Sequence, residues 1–124
     1  MELFRPIGKK EYDLIKETAF RKFPPRLFWQ PIFYPVLNYE YAEKIAREWN
    51  TADEASDFAG IVTKFEAEDT YIQKFEKHLA GSSLCEELWV PAEELEEFNS
   101  HIIGTITVVS VFYGEKYSQE KIHL

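Results

Sequence analysis

The sequence predicts an α+β fold, and three observations carry that prediction. Segments with helical spacing and segments with strand character alternate irregularly, without the regular strand–helix repeat of a doubly wound sheet. The strand-like segments are short. The chain has 124 residues, 45% of them apolar and 16% aromatic, enough to build one core.

Taken in order, Glu2–Arg5 is short, apolar and followed by Pro6 and Gly8, and reads as a first strand. Lys9 to Ala19 reads as a helix, with Tyr12, Ile15 and Ala19 at helical spacing. Phe23–Pro35 holds four of the six prolines and is expected to wrap the domain in extended form, because each interior proline removes a helix donor and clashes with the preceding turn. Asn38 suits the N-cap of a helix over Tyr39–Trp49, whose buried stripe would be Tyr41, Ala42, Ile45, Ala46 and Trp49. Thr51–Asp57 is loop-like, and Phe58–Phe65, β-branched and aromatic, reads as a strand. Asp69 is placed to cap a short helix carrying Tyr71, Ile72 and Phe75. Gly81, Ser82 and Ser83 break the chain before a strand over Leu84–Val90. Pro91 suits the first turn of a helix reaching Phe98, where Glu93 and Glu94 would meet the positive end of the helix dipole. Ile102–Tyr113, rich in Ile, Val and Thr, is the strongest strand signal. Residues 1–113 therefore read as a single domain and 114–124 as a polar C-terminal tail.

Composition excludes several classes. The net charge is −8, from 22 acidic against 14 basic residues, a surface that repels phosphate backbones and argues against nucleic acid as a partner. No apolar run approaches the roughly 20 residues of a membrane helix, and no basic region followed by an apolar stretch marks a signal peptide, so a cytoplasmic protein is expected. Cys85 is the single cysteine, which precludes an internal disulfide and a cysteine-based zinc site. The five glycines are scattered, with no phosphate loop or dinucleotide fingerprint. His78, His101 and His123 lack metal-ligand spacing and read as surface residues; the acids of Glu93–Glu97 read as a solvated helix face.

Three features bear on chemistry. Arg21, Lys22 and Arg26 form a basic cluster, either surface charge on a loop or a clamp for phosphate or carboxylate. Arg5 follows Leu3 and Phe4 on the first strand, where a buried guanidinium must find an acid, a phosphate or carbonyls. It is either half of a structural salt bridge or a bidentate anion ligand. Glu86 and Glu87 interrupt an apolar strand. Alternation sends Cys85, Glu87 and Trp89 to one face and Glu86, Leu88 and Val90 to the other, so one acid faces a covered side or a cleft. The alternatives are an edge strand kept soluble by its acids and a carboxylate that steadies developing positive charge.

The opening Leu3-Phe4-Arg5-Pro6, leading into Glu11-Tyr-Asp-Leu-Ile-Lys-Glu17, resembles the start of the ADP-ribosyltransferase fold of the cholera-toxin type. Thr63, in Gly60-Ile-Val-Thr-Lys-Phe65, stands where that family carries Ser or Thr on a central strand, and Cys85-Glu-Glu-Leu88 with Val90-Pro91 is similar to its glutamate strand. Phe23-Pro-Pro-Arg-Leu27, Phe33-Tyr-Pro-Val-Leu-Asn38, Glu87-Leu-Trp-Val-Pro-Ala-Glu-Glu-Leu95 and Phe98-Asn-Ser-His-Ile-Ile-Gly104 also resemble a family of small bacterial proteins whose label mentions ADP-ribosylation and crystallin J.

These resemblances imply a minimal ADP-ribosyltransferase-like domain: short strands in a split or curved, mainly antiparallel sheet with three to four helices. They imply NAD as substrate, Arg5 at its phosphate and ribose region, and Glu87, with Glu86 beside it, as the catalytic acid. Tyr34, Tyr39 and Trp49 are candidates to stack on its bases, and Thr63 is the central-strand position. Cys85 replaces the usual Gln or Glu two places before the catalytic acid, and the Ser-Thr-Ser run is missing, so arginine-directed transfer is not implied. The functions carried forward are mono-ADP-ribosyl transfer or NAD glycohydrolysis, and, as the alternative, an inactive module that binds a nucleotide-type small molecule or a protein partner. The exposed-looking Phe28-Trp29 pair motivates the protein partner.

Overall fold

The computed structural model describes residues 1–81 and 85–122. Ser82 and Ser83 of the expected break, Leu84 of the expected strand, and His123 and Leu124 of the tail lie outside the described residues. The fold is α+β, with two three-stranded antiparallel sheets and four α-helices among the described residues.

The first sheet has the order β1 (Glu2–Ile7), β3 (Ala59–Ala67), β6 (Ile102–Tyr113). β3 is its centre and is buried along most of its length, as its β-branched and aromatic content requires. The second sheet has the order β2 (Ile32–Phe33), β5 (Glu86–Pro91), β4 (Glu76–Leu79). Val36 joins the two sheets: it exchanges both backbone hydrogen bonds with Phe4 at 2.9 and 2.7 Å and bridges to Glu87 on its other side. The buried residues form a main cluster that includes Leu3, Ile7, Phe65 and Leu88, and a smaller one of Val36, Ala42, Ala46 and Val62. Phe23 packs on Phe33 and Phe65 at 5.1 and 4.9 Å between ring centres, and Phe98 closes on Phe33 at 5.5 Å.

The proline-rich stretch forms no helix, as expected, but is interrupted by a turn in which Gln30 N donates to Leu27 O at 2.8 Å before β2. It is pinned where the Asn99 side chain substitutes for a strand partner, accepting from Phe23 N at 2.9 Å and donating to Phe23 O at 3.0 Å. Helix α1 spans Lys9–Glu17 and buries Tyr12 and Ile15. Asn38 caps helix α2 (Tyr39–Lys44), its side chain accepting from Tyr41 N.

Beyond Lys44 the expected helix changes character. Ile45–Trp49 is a π-helical turn and Asn50–Ala52 a 3₁₀ turn. The widened turn shifts the helical phase, so Ala42 and Ala46 stay buried while Trp49, expected in the stripe, is 62% exposed. Gly60 on β3 permits this packing: a Cβ there would sit 2.0 Å from the Ala46 carbonyl oxygen.

Other expectations are corrected. Asp69 does not cap helix α3 (Asp69–Ile72); it lies inside the first turn, and its carboxylate takes the amino group of Met1. Pro91 ends β5 in an extended conformation, paired with Ile32, and helix α4 starts only at Leu95 (Leu95–Ser100). Strand β4 carries no strand pattern in the sequence and exists because β5 offers it a partner. The segment after β6 lies back on the domain: Tyr117 and Ile122 pack on the core, and Ile122 N donates to the Tyr113 hydroxyl at 2.7 Å.

Candidate functional site

One cavity of about 790 Å³ opens where the two sheets part beyond Val36. Its walls come from the end of β1 and the start of α1 (Arg5 to Gly8, Lys10, Glu11), the proline-rich segment (Pro24 to Leu27), the turns after α2 (Trp49, Asn50, Asp53, Ser56), and Tyr34, Glu87 and Trp89. Its size is that of a small-molecule site.

Arg5 and Glu87 both line this cavity, on different walls. Phe4, Val36 and Glu87 are lateral neighbours in the bridged backbone and share a face. Arg5, one residue along from Phe4, leaves the opposite face, towards Phe33, whose ring its guanidinium covers at 4.6 Å. Both side chains nevertheless belong to the cavity wall. Across Val36 the backbones of Phe4 and Glu87 are two strand spacings apart, about 10 Å.

Arg5 is 7% exposed and makes a bidentate pair with Glu11, Nε to Oε2 at 2.8 Å and Nη2 to Oε1 at 2.9 Å. This is the structural salt bridge of the two alternatives for Arg5, built at the cavity wall. A second guanidinium in the cavity wall is that of Arg26. Its Nε donates to the Ile32 carbonyl at 3.2 Å, and among the described residues no carboxylate pairs with it. Burial, then the positive field of Arg5, pushes its pKa down. Arg21 and Lys22, grouped with it in the sequence, are exposed and outside the cavity wall, so only one member of that cluster reaches the site.

Glu87 is held in place. The Tyr41 hydroxyl donates to Oε2 at 2.7 Å and Trp89 Nε1 to Oε1 at 3.2 Å. Burial, then the neighbouring Glu87 carboxylate, pushes the Tyr41 hydroxyl well above its ordinary value of 10.0, so it is a committed donor. Trp89 also meets Tyr34 edge to face at 5.8 Å and stacks on His78 at 3.8 Å. Tyr34 and Trp89 thus form an aromatic wall beside the carboxylate, and Trp49 supplies a third ring at the mouth.

Not every expected residue is brought here. Glu86 lies on the opposite face of β5 from Glu87, with Leu88 and Val90, and is not in the cavity wall. Tyr39 turns to Phe4 and to the Ser110 hydroxyl, outside the cavity. Thr63 is 1% exposed, and its hydroxyl donates to the Arg5 carbonyl at 2.8 Å. It ties β3 to β1 behind the site and presents nothing to it. His101 stacks on Tyr71 at 3.9 Å, remote from this wall. No group of three His, Cys, Asp or Glu among the described residues is arranged to hold a metal ion.

Tyr41, Trp89 and Asn50 were not expected as site residues. Alternation on β5 gave the one available signal, by placing Trp89 on the face of Glu87. Comparison with family models, with curated proteins and with solved structures finds no match for this chain.

Proposed function

We propose that the cavity binds an NAD-type dinucleotide and that the chain is an ADP-ribosyltransferase-like protein, cleaving the nicotinamide–ribose bond by transfer or hydrolysis. The observation that carries this reading is a single cavity holding an oriented carboxylate, Glu87, together with Arg26, Arg5 and three aromatic rings. In this reading Arg26, rather than the already paired Arg5, meets the pyrophosphate, and Tyr34 or Trp49 stacks on a base.

The bond between ribose C1′ and the nicotinamide nitrogen breaks with its electron pair leaving on that nitrogen. The positive charge of the pyridinium passes to the ribose as an oxocarbenium ion. Glu87, accepting from a ribose hydroxyl, faces that charge; water or an acceptor nucleophile then adds to C1′ and gives up its proton. Tyr41 and Trp89 are positioning residues that fix the carboxylate.

Nicotinamide release from NAD tests the reading, with Glu87→Gln as the variant. The expected result is NAD binding by both proteins and a loss of release of about 100-fold or more in the variant. Release that is equal in the two proteins, or absence of NAD binding, refutes it. The second reading, a binding module without turnover, is favoured by the full occupation of Arg5 by Glu11 and by exposed Phe28 (95%) and Trp29 (63%) beside cavity-lining Leu27. Its mark is NAD binding without release, unchanged by Glu87→Gln.

A further inference from the structure

Strand β6 is an open edge of the first sheet. Among the described residues it pairs with β3 alone, and its 12 residues, Ile102–Tyr113, make it the longest strand described. Edge strands are ordinarily kept from pairing with other chains by charge, proline, a bulge or a covering segment. The first half of β6 is guarded in this way. Gly104 turns the backbone through a φ of +75°, and Ile106 N donates to the Phe20 carbonyl at 2.7 Å. The second half, residues 108–113, carries only the one-residue register shift at Val109. No charged residue and no proline occurs anywhere in β6, although 29% of the chain is charged.

The side chains of this second half are covered on both faces and still incompletely buried. Ile61 and Val62, neighbours on β3, belong to different core clusters, so the two clusters lie on opposite faces of the sheet. Val108, Val111 and Tyr113 pack on the main cluster and Val109 and Phe112 on the smaller one, and all five are only partly buried. With β3 on one side and a cluster on each face, the open direction is the outer edge. A strand added there covers the remaining surface and takes the outward-pointing backbone groups.

We propose that residues 108–113 are the pairing surface for a second copy of this chain, joined edge to edge and antiparallel about a two-fold axis. The choice of occupant follows from charge. The chain carries a net charge of −8, so two copies repel each other over most of their surface. The edge of β6 is a neutral stretch where they meet without opposing like charges, and a two-fold antiparallel pairing matches the donors and acceptors of one segment to those of its twin. No residue of β6 lines the cavity, whose walls include β1 at the other end of the sheet order, so the pairing leaves those walls untouched. The inference is independent of what the cavity binds. A short edge buries an area at the low end of specific interfaces, so a dissociation constant of about 1–100 μM is expected.

Sedimentation of the full chain from about 1 to 500 μM tests this, with hydrogen exchange followed at both ends of the range. A dimer should grow with concentration, and amides within residues 108–113 should exchange about tenfold or more slowly at the high end. Val111→Lys and Val111→Glu each set like charges at the middle of the paired segments and should weaken dimerisation about tenfold or more; an equimolar mixture of the two should restore it. Thr107→Lys, at an exposed position beside the segment, is the gentler variant and should weaken it several-fold. A chain that stays monomeric across the range overturns the proposal. So does a dimer whose concentration-dependent protection lies outside residues 108–113, and so does a dimer that keeps its affinity in Thr107→Lys and in both Val111 variants. If the Val111 variants fail to fold, the exchange pattern of the wild type and the Thr107→Lys affinity decide the matter between them.

Discussion

Replacing Glu11 by Gln tests the reading of Arg5 as a structural cation. Arg5 and Glu11 side chains are 9% and 19% exposed and share two charge-assisted hydrogen bonds at 2.8 and 2.9 Å. At an effective dielectric constant of about 20, a pair this close is attracted by about 4 kcal/mol or more, most of it offset by desolvation in the intact pair. The substitution removes the attraction but keeps the guanidinium buried over Phe33, where it still feels the positive field of Arg26. One amide oxygen remains to accept, so we expect a loss of about 2–3 kcal/mol, somewhat below the full cost of breaking a buried pair. For a chain of this size that is a fall of roughly 10 °C in Tm. Urea unfolding of wild type, Glu11→Gln, and the double variant Arg5→Met with Glu11→Leu measures it. The double variant should lie within about 1 kcal/mol of wild type, because two apolar side chains leave no buried charge behind. A loss below about 0.5 kcal/mol for Glu11→Gln would refute the reasoning and return Arg5 to the role of an open anion ligand.

Three further outcomes follow from the geometry. Gly60→Ala puts a Cβ 2.0 Å from the Ala46 carbonyl oxygen; because the obstacle is backbone, denaturant unfolding should show a loss of about 3 kcal/mol. Phe23→Ala empties the middle of the ring cluster at a residue 1% exposed, and should cost about 3–5 kcal/mol in the same assay. Tyr41→Phe tests the support of Glu87. The Tyr41 hydroxyl has its pKa raised in the fold by burial and by Glu87, so its contribution to stability is fully present below the ordinary value of 10.0 and is lost as pH rises through the folded value. The Tm advantage of wild type over the variant should therefore be level at neutral pH and shrink only in strong alkali; an advantage that shrinks between pH 6 and pH 9 would contradict the assignment.

Much of the fold was legible in the sequence because it depends on local pattern. The β-branched runs of β3 and β6, the spacing of Tyr12 and Ile15 in α1, the Asn38 cap and the helix-free proline segment follow from periodicity, capping and the missing proline donor. Alternation along β5 likewise separated Glu87 from Glu86 before any contact was known. Local pattern failed where a distant partner decided. Strand β4 has no apolar alternation and forms against β5, Asp69 gives its carboxylate to Met1, and the end of α2 opens into a π turn pressed on Gly60.

The site divides in the same way. That Arg5 needs a partner and that one acid of the Glu86–Glu87 pair faces a covered side or a cleft are consequences of charge burial and the two-residue period of a strand, both readable from neighbours in sequence. That the partner of Arg5 is Glu11, that Arg26 reaches the cavity wall with no carboxylate pairing it among the described residues, and that Tyr41 holds Glu87 depend on chain segments distant in sequence meeting in space. Composition and periodicity carry no term for those distances, so only the tertiary structure decides them.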